Sequence, residues 1–246
     1  MKIGIADFGM NVWDGGFYDY EERWKGLREI GYEGIERLTA FSSDEALSKA
    51  ARMRKDGMSF ATVRGPSLEL SIQWTAGLGK PYVWTQVSEQ KKTEVFYRQV
   101  NLMSEACRRA GIQSALHNHM GSLVESQEEL ETFLHRCPET KLVFDIGHFV
   151  AAEGDCIEII RKYGERIEVI HIKDWLLENP SAEAWNRRGR FCGLGQGNMG
   201  LDVKAILDQA AHIGFDGWVF VEHDSHLQEP LDDLRASREY LHRAGY

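Results

Sequence analysis

The four cysteines, Cys107, Cys137, Cys156 and Cys192, stand far apart, with no C-x-x-C pair among them. That absence excludes a zinc ribbon and a thioredoxin-like redox motif, and reduced thiols fit a cytoplasmic address. The five prolines are scattered, and no Ser-rich, low-complexity or single-charge tract marks a linker, so one domain over residues 1–246 is expected. No apolar run is long enough for a membrane span or signal peptide, and the opening MKIGIADFGM already carries an acid at Asp7. A cytoplasmic protein with no membrane partner is the expectation. Basic residues are the minority, since 29 Lys and Arg face 38 Asp and Glu for a net charge of −9. Nucleic-acid affinity comes largely from cations that neutralise phosphates, so no nucleic-acid partner is expected, while a small neutral substrate is compatible with the balance.

What the chain does have is four short apolar runs in its second half that each end in metal-binding or acid/base residues: SALHNH (114–119), LVFDIGH (142–148), VIHIKD (169–174) and VFVEHD (219–224). Strands alternate side chains between two faces, which puts His117 on a face with His119, His171 with Lys173, and Glu222 with Asp224. Laid side by side, the strands bring His117, Asp145, His171 and Glu222 together. Two imidazoles and two carboxylates can replace the hydration shell of one divalent transition ion, with manganese, zinc, cobalt and iron suited about equally.

The periodicity predicts the frame for this convergence. Strand candidates at 2–9, 34–38, 59–65 and 81–87 precede the four runs, and helical spacing recurs at 19–31, 45–57, 68–76, 94–111, 126–137, 156–166 and 202–214, with Ser43 and Asp44 as cap candidates for the second helix. Eight strands alternating with helices predict parallel pairing, and 246 residues match the length of about 250 typical of a single (β/α)8 TIM barrel in the α/β class. In such barrels the functional groups lie at the C-terminal strand ends, where the four candidate ligands fall.

Single residues have plainer uses. Any one of the histidines, taken alone, fits a hydrogen-bonded core position, and Asp145 and Glu222 fit buried salt bridges, Asp145 with Lys173 or Arg64. Lys173 and Asp174 fit an internal ion pair as well as a substrate role, and an ammonium at a barrel mouth can stabilise an oxyanion. GQGNMG (195–200) has the spelling of a dinucleotide fingerprint but follows a polar loop rather than a strand, which rejects that reading. A flexible active-site loop from Trp175 to Gly200 is expected instead. Trp74, Trp84, Trp175 and Trp185 can line a sugar pocket or pack the core, and Glu36 and Arg64 can bind hydroxyls across the mouth or pair with each other.

LHNHMG, FDIGHFVAAEGD, VIHIKDW, LGQGNMGLD and GWVFVEHD resemble, in order, the strand-end signatures of the xylose-isomerase-like superfamily of sugar isomerases and epimerases. HNHMGS, DIGHFVAAEGD and GWVFVEHD are most similar to its inosose (2-keto-myo-inositol) dehydratase branch. The resemblance implies metal ligation by Asp145, His171 and Glu222, with a fourth ligand from the fifth strand. Many epimerases have Glu there, whereas this chain offers His117, with His119 as the alternative, so a two-glutamate mechanism is in question. The chemistry implied is proton abstraction beside the carbonyl of a keto-sugar or keto-cyclitol, through an enediolate stabilised by one divalent ion. Glu222 or His148 is the expected base or acid, Lys173 the oxyanion stabiliser, and His119, Asp174, Glu36 and Arg64 the groups that orient hydroxyls. Isomerisation or epimerisation is the expected outcome, with dehydration of a keto-cyclitol as the alternative. An abasic-DNA endonuclease and a non-catalytic sugar-binding subunit are the remaining readings, and a homo-oligomer is compatible with all of them.

Overall fold

Helix stops and strand starts alternate along the chain. In the computed structural model, which describes residues 1–6, 21–184, 187–224 and 228–246, β1 (Lys2–Ile5) leads through α1 (Trp24–Ile30) to β2 (Gly34–Thr39), and α2 (Ser43–Lys55) leads to β3 (Ser59–Arg64). Then come α3 (Leu68–Gly77), β4 (Tyr82–Trp84), α4 (Glu94–Arg109), β5 (Gln113–His117), α5 (Gln127–Arg136) and β6 (Lys141–Asp145). The last part holds α6 (Ile146–Ala151), α7 (Cys156–Tyr163), β7 (Ile167–Ile172), β8 (Asp174–Leu177), β9 (Gly189–Cys192), α8 (Val203–His212), β10 (Trp218–Val221) and α9 (Pro230–Arg243).

Local chemistry sets the ends. Gly31 closes α1 in the left-handed region at φ 107°, which turns the chain back toward β2. Side-chain caps start α3 from Ser67, α7 from Asp155 and α8 from Asp202, and Ser126 with Glu129 forms a full capping box on α5. The cap of α2 is Ser42, whose hydroxyl accepts from the Glu45 amide at 3.2 Å, one residue earlier than the Ser43 and Asp44 expected from sequence.

Eight parallel strands run in the order β3-β2-β1-β10-β7-β6-β5-β4, a nearly closed (β/α)8 barrel with β3 and β4 side by side at the seam. Its interior is packed by Ala61, Tyr82, Ala115, Val143, Val169, Trp218 and Phe220, small residues facing large ones. The main core, including Ile3, Ile35, Phe133, Phe144, Ile170 and Val219, lies between the sheet and its helices. Among the described residues no helix is long and apolar enough to cross a membrane.

Two elements differ from the sequence reading. The run at 142–148 stops being a strand at Asp145, because the Asp145 carboxylate caps α6 by accepting from the His148 amide at 2.9 Å. The stretch read as a flexible loop from Trp175 contains an antiparallel hairpin, β8 with β9, pairing Trp175 with Phe191. Trp175 and Phe191 bury themselves with Met120 in a small apolar cluster of their own, and that cluster is what orders the segment. Residues 7–9 of the first strand expected from sequence, and 19–20 of the first helix, lie outside the described residues.

Candidate metal centre

Four neighbouring strands, β5, β6, β7 and β10, deliver the centre. Asp145 pairs in register with His171, and His171 with Phe220, two residues before Glu222. Because side chains alternate, each of these residues enters the barrel from its strand end. One ligand atom each from His117, Asp145, His171 and Glu222 lies within 4.8 Å of the others. His117 Nε2 is 3.2 Å from Asp145 Oδ2, and His171 Nδ1 is 3.1 Å from Glu222 Oε2. Asp145, His171 and Glu222 are buried and His117 nearly so. Two nitrogens and two carboxylate oxygens brought together in this way fit a divalent transition ion.

His119, the other fifth-strand candidate, is turned aside. Its Nδ1 is 2.6 Å from the Met120 carbonyl, and its ring lies tilted at 42° against the His148 ring with centroids 3.7 Å apart. Asn118, between the two histidines, was not singled out from sequence. Its buried side chain donates to the Asp145 carbonyl and accepts from the Asp145 amide, both at 2.9 Å, which ties the ends of β5 and β6 together.

Glu36 lies deep in the barrel behind His171. Its Oε1 accepts from the Tyr82 hydroxyl and the Trp84 indole, both at 2.7 Å. Its Oε2 stands 3.1 Å from His171 Nε2 as an ion-pair contact, and neither atom has a hydrogen-bond partner among the described residues. A carboxylate on the far nitrogen fixes the tautomer so that the near nitrogen can face an ion. The Trp84 ring closes this wall, 4.6 Å from the His117 ring.

Lys173 is fully buried and bridges the set. Its Nζ is 2.6 Å from Glu222 Oε2, 2.9 Å from Asp145 Oδ2 and 2.8 Å from Asp224 Oδ2. It also lies 3.1 Å from His148 Nε2, a contact in which the ammonium donates. Gly147 makes room for this lysine, because a Cβ there would stand 2.2 Å from Lys173 Cγ. The Asp145–Lys173 ion pair, one of the two plainer readings of Asp145 from sequence, is present. Arg64 is exposed at the end of β3, and Glu36 faces His171 rather than Arg64.

Electrostatics follow from this crowding. Burial, the largest single influence, would raise the carboxyls of Asp145 and Glu222, but the Lys173 ammonium together with the His117 hydrogen bond at Asp145 and with His171 at Glu222 outweighs it and holds both well below the usual range. Burial and then Lys173 push His148 down to about 2, so its imidazole is neutral. Burial works against charge on His171, yet Glu36 and Glu222 raise it to about 10 when no ion is bound.

Asp174 points away from the cluster. Its Oδ1 accepts from the Trp175 amide at 2.8 Å, and its Oδ2 accepts from the amides of Gly195 and Gly197, each at 3.1 Å. This is what the glycine spacing of GQGNMG serves, since a Cβ on Gly197 would lie 2.0 Å from Asp174 Oδ1. The loop so held keeps the hairpin over the site, with the Phe191 ring 4.8 Å from Lys173 Nζ and 4.5 Å from the His148 ring. His223 is buried on the opposite face from Glu222, with Nε2 3.0 Å from Ser237 Oγ. Trp175 packs on Phe191, Trp74 packs against the main core, and Trp185 lies outside the described residues.

Residues 24–244 match the family described as a xylose isomerase-like TIM barrel. The chain belongs to that family. Among curated relatives, an inosose dehydratase of Lacticaseibacillus casei is 29% identical over 151 residues, 56% of this chain and 50% of that protein. The rhizopine catabolism protein MocC of Rhizobium meliloti is 29% identical over 161 residues, 61% of this chain and 49% of that protein. The matched segment thus spans about half the length of these relatives. Among solved structures, a probable 3-DHS dehydratase of Bacillus anthracis superposes with a TM-score of 0.74 at 15% identity, covering 98% of this chain and 99% of that one. An L-ribulose 3-epimerase superposes at 0.72 with 17% identity, covering 99% and 94%. At these identities the structural likeness speaks for the fold.

Proposed function

We propose that this xylose isomerase-like barrel is a divalent-metal-dependent enzyme that dehydrates a keto-cyclitol or related keto-sugar by removing the proton beside its carbonyl. The observation that carries the reading is the convergence of His117, Asp145, His171 and Glu222 on one buried point. An ion held by these four would act as a Lewis acid on the substrate carbonyl. Glu222, ionised already in the metal-free protein through Lys173 and His171, is placed to take the α-proton, and the electron pair moves toward the carbonyl oxygen to give an enediolate. As that pair returns, the β-hydroxyl leaves and takes a proton to depart as water. Lys173, 2.6 Å from Glu222, carries a proton to give and a charge that favours the oxyanion. The hairpin with Phe191 keeps water from the intermediate.

Dehydration is preferred to epimerisation because Glu222 is the one metal-set carboxylate at a strand end without a capping duty. Epimerisation through two bases calls for a second such group, and the fifth strand supplies His117 in its place. The inosose dehydratases among the curated relatives point the same way.

The test is a panel of keto-inositols and keto-sugars followed in deuterated buffer. A new enone absorbance with loss of the α-proton, and solvent deuterium at the α-carbon of recovered substrate only, supports dehydration, whereas label in an epimerised or isomerised product moves the reading to that outcome. Full turnover after exhaustive chelation, or neither exchange nor enone with any substrate that binds, removes it. Glu222→Gln is expected to lower turnover by about 10²-fold to 10⁴-fold with the fold retained.

A further inference from the structure

Lys173 uses the same atoms as the metal set. Its ammonium contacts Asp145 Oδ2 at 2.9 Å and Glu222 Oε2 at 2.6 Å, and these two oxygens are the ones that face His117 Nε2 at 3.2 Å and His171 Nδ1 at 3.1 Å. Two of the four donors are thus already engaged by a cation that the chain itself supplies. A divalent ion on those oxygens would stand beside a like charge in a site with little water, where repulsion is weakly screened. The lysine has one further anionic contact, Asp224 at 2.8 Å, whose side chain is 21% exposed and which is outside the converging set of four. Lateral escape is closed, because Gly147 packs against the lysine stem, with the Phe191 ring 4.8 Å and His148 Nε2 3.1 Å from Nζ.

We infer that Lys173 is a tethered competitor of the metal. Without the ion it neutralises Asp145 and Glu222, and on loading it yields their oxygens and keeps Asp224 as its counter-charge. The inference rests on the metal reading of the site. It makes the metal-free barrel self-sufficient, since a buried pair of carboxylates with no cation would be costly. It also makes the ion more weakly held, and more exchangeable, than four bare ligands would hold it.

Titration of purified protein with Mn²⁺ and with Zn²⁺, by calorimetry and chelator competition at fixed pH, tests this without any substrate. Lys173→Met is expected to bind at least tenfold tighter than the natural protein, and its chelated form to melt at a lower temperature. Asp224→Asn is expected to bind more weakly, because the displaced lysine loses its partner, and this effect is expected to vanish in the Lys173→Met background. Equal or weaker binding by folded Lys173→Met overturns the inference. So does an Asp224→Asn effect that persists in the double variant, which remains measurable if Lys173→Met proves less stable. If the natural protein binds neither ion, this inference and the proposed function fall together, whereas normal binding with unmoved variants removes the competitor alone.

Discussion

Replacing Asp174 by Asn is expected to loosen the hairpin over the site while leaving the barrel folded. Asp174 is buried, and its two oxygens accept three amides: Trp175 at 2.8 Å, and Gly195 and Gly197 at 3.1 Å. An amide side chain keeps one acceptor oxygen and turns an NH₂ group toward an N–H donor, so at least one charge-assisted bond is lost. Such a bond contributes about 1.5–3 kcal/mol. A loss of about 2–3 kcal/mol in local opening free energy speeds exchange of the Gly195 and Gly197 amides by about 30-fold to 150-fold. The assay is amide hydrogen exchange at residue level, with Ile170 and Phe220 of the barrel as internal references. Unchanged protection at Gly195 and Gly197 would refute the clamp, and equal loss at Ile170 and Phe220 would refute its independence from the barrel. Gly197→Ala is expected to give the same local opening, because its Cβ would meet Asp174 Oδ1 at 2.0 Å.

Metal binding is expected to release close to one proton at pH 7 to 8, since His171, raised to about 10 in the metal-free protein, must give up the proton on the nitrogen that faces the ion. Calorimetry in buffers of different ionisation enthalpy measures this, and no buffer dependence would contradict it. The same shift has a fixed sign for stability: the contribution of His171 to the metal-free fold is fully present below about pH 6.5 and is lost as pH rises through about 10, which chemical denaturation with chelator across that range checks. Gly147→Ala is expected to cost about 1–3 kcal/mol by overpacking the Lys173 stem, read from the denaturation midpoint. Asn118→Ala, which removes both bonds to the Asp145 backbone, is expected to cost about 1–3 kcal/mol and to weaken metal binding, and an unchanged metal affinity would mean that β6 holds Asp145 without help.

The barrel was legible because its signals are local. Apolar runs of strand length recur eight times, punctuated by glycine stops and capping residues, and the four ligand candidates stand at run ends where no apolar run would otherwise carry charge. What escaped were decisions made across the sheet. Asp145 reads as a strand residue, yet its carboxylate starts a helix, since Ile146 to Ala151 is apolar enough to suit either state. Trp175 and Phe191 are separated by a polar stretch, and their pairing appears only when both fold over Met120. Glu36 sits in the middle of β2 rather than at its end, its partner His171 lies 135 positions away, and no spacing within the first half of the chain points to it. Asn118 carries no signal in the sequence, where an amide between two histidines reads as filler, because its two bonds to Asp145 depend on the β5–β6 neighbourhood.

The staggered pairing of the four donor strands has a consequence for folding quality. His117 stands opposite Val143, Asp145 opposite His171, and His171 opposite Phe220, so each donor is offset from the next by an even number of residues or by none. Slipping any one of these strands by a single residue would turn its donor toward the surrounding helices. A misthreaded barrel would then be blind to the cation, and the loaded fraction of a preparation would count its correctly assembled molecules.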